Sequence, residues 1–141
     1  MTFSAKTEYA CLAMLELSQQ FQGQQPVQVR RIADRHGIPT PFLVQILQEL
    51  KRAGLVSSTR GASGGYRLSL SPEKICLSDV IDAVEGNSKT STSAAGDSPL
   101  SPLLIAVCDE LTAARREKLE AITLAELISR AVADDGSMWC I

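Results

Sequence analysis

Between residues 9 and 17 the chain is apolar at every position except Glu16, a density of hydrophobic side chains that one helix face cannot hold. A helix over residues 4–21 follows, capped by Ser4, and it is expected to run through the centre of the core. Residues 22–26 read as a loop. Residues 29–36 and 40–53 read as two helices around Gly37-Ile38-Pro39. Ile32 and Ala33 face inward, and Gly37 supplies a left-handed turn. Thr40 is placed to cap the second helix with Pro41 at its first position, and Leu43, Ile46, Leu47 and Leu50 form one buried stripe. This is a helix-turn-helix pattern.

The period then falls to two. Tyr66, Leu68 and Leu70 alternate with Arg67 and Ser69, as in a half-buried strand, and residues 55–59 read as its partner. Between them Arg60-Gly61-Ala62-Ser63-Gly64-Gly65 is rich enough in glycine for a tight turn, so the segment reads as a β-hairpin wing. Residues 78–85 form a short helix with Ser78 as cap and Gly86 as stop. Residues 87–97 are rich in Ser, Thr, Ala and Gly and read as a flexible loop. Ser101-Pro102 then looks like a cap and first helical residue, after which Leu104, Val107, Cys108, Leu111, Ala114, Leu119 and Ile122 recur with helical spacing. Thr123 to Glu126 has the spacing of a capping box, which restarts a last helix to about residue 133. The tail 134–141 is polar and then ends in Met138-Trp139-Cys140-Ile141, apolar enough to dock on its own protein or a partner. The fold class is therefore mainly α with a small β-hairpin. Residues 1–86 make a winged helix-turn-helix region, 87–101 a flexible loop, and 102–141 a long helix with a C-terminal helix and tail.

With 141 residues and 15.2 kDa the chain is one ordinary domain able to bury a core. No apolar run is long enough to span a bilayer, and residues 1–6 lack the regions of a signal peptide, so a cytoplasmic protein is expected. The net charge of -2 hides an asymmetry. Residues 1–74 carry nine basic and five acidic side chains, a balance of +4, and the remainder carries five against eleven, a balance of -6. A basic half joined to an acidic half fits a nucleic-acid-reading head on a self-associating tail, or simply two solvated surfaces of unequal charge.

Arg60 falls at the tip of the hairpin, where a guanidinium can enter a narrow minor groove or grip phosphates; Arg67 adds a backbone contact or is an ordinary exposed arginine. In a helix-turn-helix the start of the second helix faces the major groove. The residues off its buried stripe are Thr40, Phe42, Val44, Gln45 and Gln48. Gln45 or Gln48 can pair with adenine, Thr40 can donate to a phosphate or base, and Val44 can meet a thymine methyl, while Gln45 alternatively bonds within the protein. Arg30, Arg31, Lys51 and Arg52 supply charge for the DNA backbone or a solvated face. The glycine-rich segment lacks the Gly-Lys-Ser/Thr ending of a phosphate loop. His36 is the single histidine and sits at a helix end, as a cation near carbonyls would. No catalytic set can be assembled around it, and no enzyme is expected. Cys11, Cys76, Cys108 and Cys140 show no close pair of the metal-binding kind. Cys11 and Cys108 lie in apolar stretches and read as small hydrophobes, and Cys140 reads as the most exposed thiol.

Tyr9-Ala10, Ile32-Ala33, Gly37-Ile38, Leu43 to Leu50, Ala53-Gly54-Leu55-Val56, Arg60-Gly61, Gly64-Gly65-Tyr66, Asp79-Val80-Ile81, Glu85-Gly86 and Ile122-Thr123-Leu124 together resemble the Rrf-two family of bacterial transcription regulators. The resemblance implies a winged-helix homodimer that binds a palindromic operator in double-stranded DNA and usually represses. Its long C-terminal helix would carry the dimer interface, through Leu104, Val107, Cys108, Leu111, Ala114, Leu119 and Ile122. Many members hold an iron-sulfur cluster on three cysteines of the loop before that helix, whereas residues 87–101 here contain none. The chain most resembles the cluster-free repressors of cysteine metabolism. That likeness implies control of sulfur amino-acid genes, with cysteine synthase as a protein co-repressor and no metal cofactor. Phe42 stands where a tyrosine is frequent in the family and Val44 where a glutamate is frequent, which changes phosphate grip and base readout together. Two other readings stay open: a winged-helix protein-interaction adaptor, and a thiol-based redox sensor.

Overall fold

The computed structural model describes residues 3–23, 25–86 and 97–138, with side chains through residue 132. Helix α1 (Ala5–Gln19) is central, and Ala10, Ala13, Met14 and Leu17 are all buried. Ser4 caps it, accepting from the Thr7 amide at 3.2 Å. Around it pack α2 (Val29–His36), α3 (Thr40–Arg52) and α4 (Leu77–Glu85), together with the hairpin of β1 (Val56–Thr59) and β2 (Gly65–Leu68). Ile32 of α2, Leu43, Ile46, Leu47 and Leu50 of α3, and Val80 of α4 close one core around α1. Each such aliphatic side chain contributes about 1.5–3 kcal/mol on leaving water. The left-handed Gly37 ends α2 and lets the Ile38 amide reach the Ala33 carbonyl at 3.0 Å.

Helix α5 (Ser101–Ala121) is long and exposed along nearly its whole length, while α6 (Leu124–Met138) returns to α1 and buries Leu124 completely. The hinge between them is stitched to the chain just before α4. The Leu77 amide donates to the Ile122 carbonyl and the Leu124 amide to the Ile75 carbonyl, both at 2.9 Å. Arg116 of α5 adds a two-pronged grip on Asp82 of α4, both bonds 2.7 Å. Among the described residues no helix is long and apolar enough to cross a membrane.

Several local expectations shift. Pro39, not Thr40, takes the cap position of α3, because the Leu43 amide already bonds the Pro39 carbonyl at 2.9 Å. Ser78 lies buried inside α4. Cys76 is the cap, held extended by its bridge to Thr123, and its amide donates to the Asp79 carboxylate at 2.9 Å. Leu100 rather than Ser101 precedes α5, since the Leu103 amide reaches the Leu100 carbonyl at 3.1 Å. Strand β2 ends at Leu68, short of Leu70, which is exposed. The last helix continues to Met138 instead of stopping near residue 133, with no proline to interrupt it. Thr123 does cap it, its hydroxyl accepting from the Glu126 amide at 3.1 Å. The expected loop at 87–96 and the tail residues Trp139, Cys140 and Ile141 lie outside the described residues.

Candidate nucleic-acid interface

The wing is a two-stranded antiparallel ribbon in which Val56 faces Leu68, Ser57 faces Arg67, Ser58 faces Tyr66 and Thr59 faces Gly65. An isolated hairpin of this length is marginal in water. This one gains a third partner just before α2: Val27 and Tyr66 exchange backbone hydrogen bonds of 2.7 and 2.9 Å. The glycine pair explains how the chain comes so close. A Cβ on Gly65 would overlap the Val27 carbonyl and one on Gly64 the Thr59 carbonyl, so this approach admits only glycine. The Gln28 side-chain amide donates to the Ala62 carbonyl at 3.2 Å and fastens the wing tip to the same segment. Arg31 and Ser63 border the open cleft between that segment and the tip. This bridge has no signature in the sequence beyond the glycine pair, because a single paired residue has no period.

The tip carries Arg60, which is exposed. On α3, Thr40, Gln45 and Gln48 are exposed and Val44 is half-buried beside them. Gln45 and Gln48 are separated by about one turn and so share a face. Phe42 is turned elsewhere: its ring meets Tyr9 of α1 edge-on with centroids 5.7 Å apart, so it seats α3 on the core. Arg30 and Arg31 project from the first turn of α2, Arg30 with Asp34 3.8 Å away. Arg67 is exposed on β2 and takes part in an interaction there. Lys51 at the end of α3 donates to the Ser58 hydroxyl of β1 at 2.7 Å, tying the helix to the wing.

On α5 the sequence-predicted stripe divides. Leu104, Val107, Cys108, Leu111 and Ala114 are exposed, with Leu104 at 67% and Leu111 at 65%. Leu119 and Ile122 turn back and pack against the chain's own core. Helical spacing alone cannot separate a face covered by a partner from one covered by the same chain.

Cys108 is consequently exposed in the single chain and not a buried hydrophobe. Cys11 is half-buried on α1, and burial, reinforced by the charges of Glu85 and Glu8, pushes its thiol up to about 11. Cys76 is raised too, by burial and by the adjoining Asp79. Raising a thiol lowers its thiolate fraction and with it its reactivity. These cysteines sit on α1, at the start of α4 and on α5, and among the described residues no three His, Cys, Asp or Glu side chains gather as a metal site. His36 is committed elsewhere, with its Nε2 against Glu16.

The model of the Rrf2 family, described as iron-dependent transcriptional regulators, matches residues 3–130. The HTH-type transcriptional regulator IscR of Aliivibrio salmonicida is 42% identical over 85 residues, which cover 60% of this chain and 50% of that protein. The chain thus matches about half the length of that relative. The structure of IscR from T. potens superposes with a TM-score of 0.77 at 36% identity, covering 93% of this chain and 88% of that one. CymR, the global cysteine regulator of B. subtilis, superposes with a TM-score of 0.74 at 31% identity, covering 92% and 98%. The match of the family model over nearly the whole chain, with the same fold in two named regulators, makes this chain a member of the Rrf2 family of transcriptional regulators, a non-enzymatic class.

Proposed function

We propose that the chain acts as a homodimeric repressor on a palindromic operator in double-stranded DNA, without an iron-sulfur cluster. One observation carries the DNA reading. The wing tip with Arg60 is hydrogen-bonded to the start of α2, within the same core that exposes Thr40, Gln45 and Gln48 on α3. In this arrangement Gln45 and Gln48 read adenine edges in the major groove, Val44 meets a thymine methyl and Thr40 holds a phosphate or base. Arg60 enters the flanking minor groove, and Arg30, Arg31 and Arg67 neutralise backbone phosphates.

The dimer reading rests on α5. Leu104, Val107 and Leu111 form a contiguous exposed apolar stripe, and such a stripe calls for a covering partner. A second copy of the same helix covers it symmetrically, and a two-fold protein matches a palindrome. The cluster-free reading rests on donor chemistry: residues 87–101 contain no cysteine, and the described cysteines lie on three separate elements. The family's iron group therefore does not fit this chain. Likeness to CymR, named as a cysteine regulator, supports control of sulfur amino-acid genes, with cysteine synthase as the protein co-repressor to be tested.

The test is to bind the purified reduced protein to sheared DNA of its own genome at physiological salt and to sequence the retained fragments, because specificity matters more than bare affinity. A shared palindrome upstream of sulfur genes is the expected result. A palindrome near other genes overturns the sulfur assignment alone. No enrichment, with or without cysteine synthase, overturns the repressor reading in favour of a protein-interaction adaptor.

A further inference from the structure

We propose that Gln28 is a positioning residue for DNA recognition: it sets where the Arg60 wing tip meets the minor groove. The inference rests on the DNA-binding reading above. The wing tip is a loop of exposed residues, 60–63, between two four-residue strands. Its base is fixed by the Val27–Tyr66 bridge and by the approach of Gly65 to the Val27 carbonyl. Among the described residues, the side-chain tie that holds the outer loop, 60–63, to the rest of the fold is the Gln28 amide on the Ala62 carbonyl at 3.2 Å. Ala62 lies two residues beyond Arg60, and Gln28 is the cap residue of α2, two residues before Arg30 and three before Arg31. A single side chain therefore links the helix that would lie along the DNA backbone to the loop that would enter the groove. An arginine on a loop loses its ordering entropy on binding, and a loop fixed beforehand loses less.

Gln28 need not touch DNA for this effect, so the discriminating experiment is a double-mutant cycle with Arg60. The variants Q28A, Q28M, R60A and Q28A/R60A are each titrated against the duplex recovered from the genomic selection. Gln28 is exposed, so all four are expected to unfold at the midpoint of the parent. Q28M keeps the length of the side chain and removes the donor. Q28A and Q28M should each weaken binding about three- to tenfold, the worth of one hydrogen bond. In the R60A background Q28A should change affinity less than about 1.5-fold, because nothing remains for the tie to position. Full additivity of Q28A and R60A, or an unchanged affinity of Q28A and Q28M, overturns the positioning role while leaving the wing reading in place. An R60A variant that binds like the parent overturns the wing reading, and this inference with it.

Discussion

The Nε2 of His36 lies 2.8 Å from Oε1 of Glu16, a carboxylate that is 1% exposed within the apolar run of α1. The Arg35 guanidinium donates to the other oxygen at 3.2 Å. Both partners come from the last turn of α2, so this buried charge clamps the turn that leads into α3 onto α1.

Removing His36 leaves the carboxylate short of one partner in the core. H36A should cost about 2 kcal/mol, and R35A/H36A about 3–5 kcal/mol, because the double variant strands the charge. R35A alone should cost under about 1 kcal/mol, since that guanidinium is half exposed. Urea unfolding at one protein concentration measures all three; an H36A stability within about 0.5 kcal/mol of the parent would contradict the clamp.

The glycine pair makes a local prediction. G65A forces a methyl group into the Val27 carbonyl and should cost about 1–3 kcal/mol. The loss should concentrate where the strands part, so amide exchange at Val27 and Tyr66 rises well before that at Leu47. Uniform acceleration across the chain would show that the wing is not the element released.

Leu111 tests the interface on α5. Placing a charge there with L111E should give monomers or insoluble protein, read by sedimentation. If a partner helix covers α5 as proposed, Cys108 should be alkylated faster in soluble monomers than in the parent. A variant that sediments as a dimer would refute the placement.

Cys11 gives a pH signature. Its thiol titrates near 9.0 when unfolded and is pushed up to about 11 by burial in the folded chain. Its contribution to stability is thus fully present below pH 9.0 and is lost as the pH rises through about 11, where the folded thiol also ionises. C11A should show a shallower fall in stability across that window than the parent. Alkylation of Cys11 at about pH 8 should be far slower in the native protein than in urea; equal rates would contradict the burial.

The helix-turn-helix and the wing were legible because their periods, 3.6 and 2, are imposed by the backbone and survive in any sequence that buries one face. Glu16 was legible only as an intrusion into an apolar run, since its partners lie 19 and 20 positions away on another helix. Gln28 carried no signal, because a side chain bonded to a distant carbonyl obeys no spacing rule. Thr40 and Ser78 were misplaced by a residue or two for a common reason. Caps are set by where the first backbone bond closes: the Pro39 carbonyl takes the Leu43 amide of α3, and Cys76 is held extended by its bridge to Thr123. Leu119 and Ile122 followed the same stripe as Leu111, yet the docking of the end of α5 near α4 gives them the chain's own core as a partner.

That return also determines how the molecule can come apart. Leu124 is wholly buried in the core that α1 organises, so cutting the chain after α4 would leave a leucine-sized void in that core. The helix-turn-helix core and α6 are therefore one cooperative unit, expected to melt in a single transition, and the proposed pairing of α5 would make its midpoint climb with protein concentration. If α5 pairs as proposed, losing the partner would withdraw support from the same core that seats α3, and operator affinity would then fall on dilution.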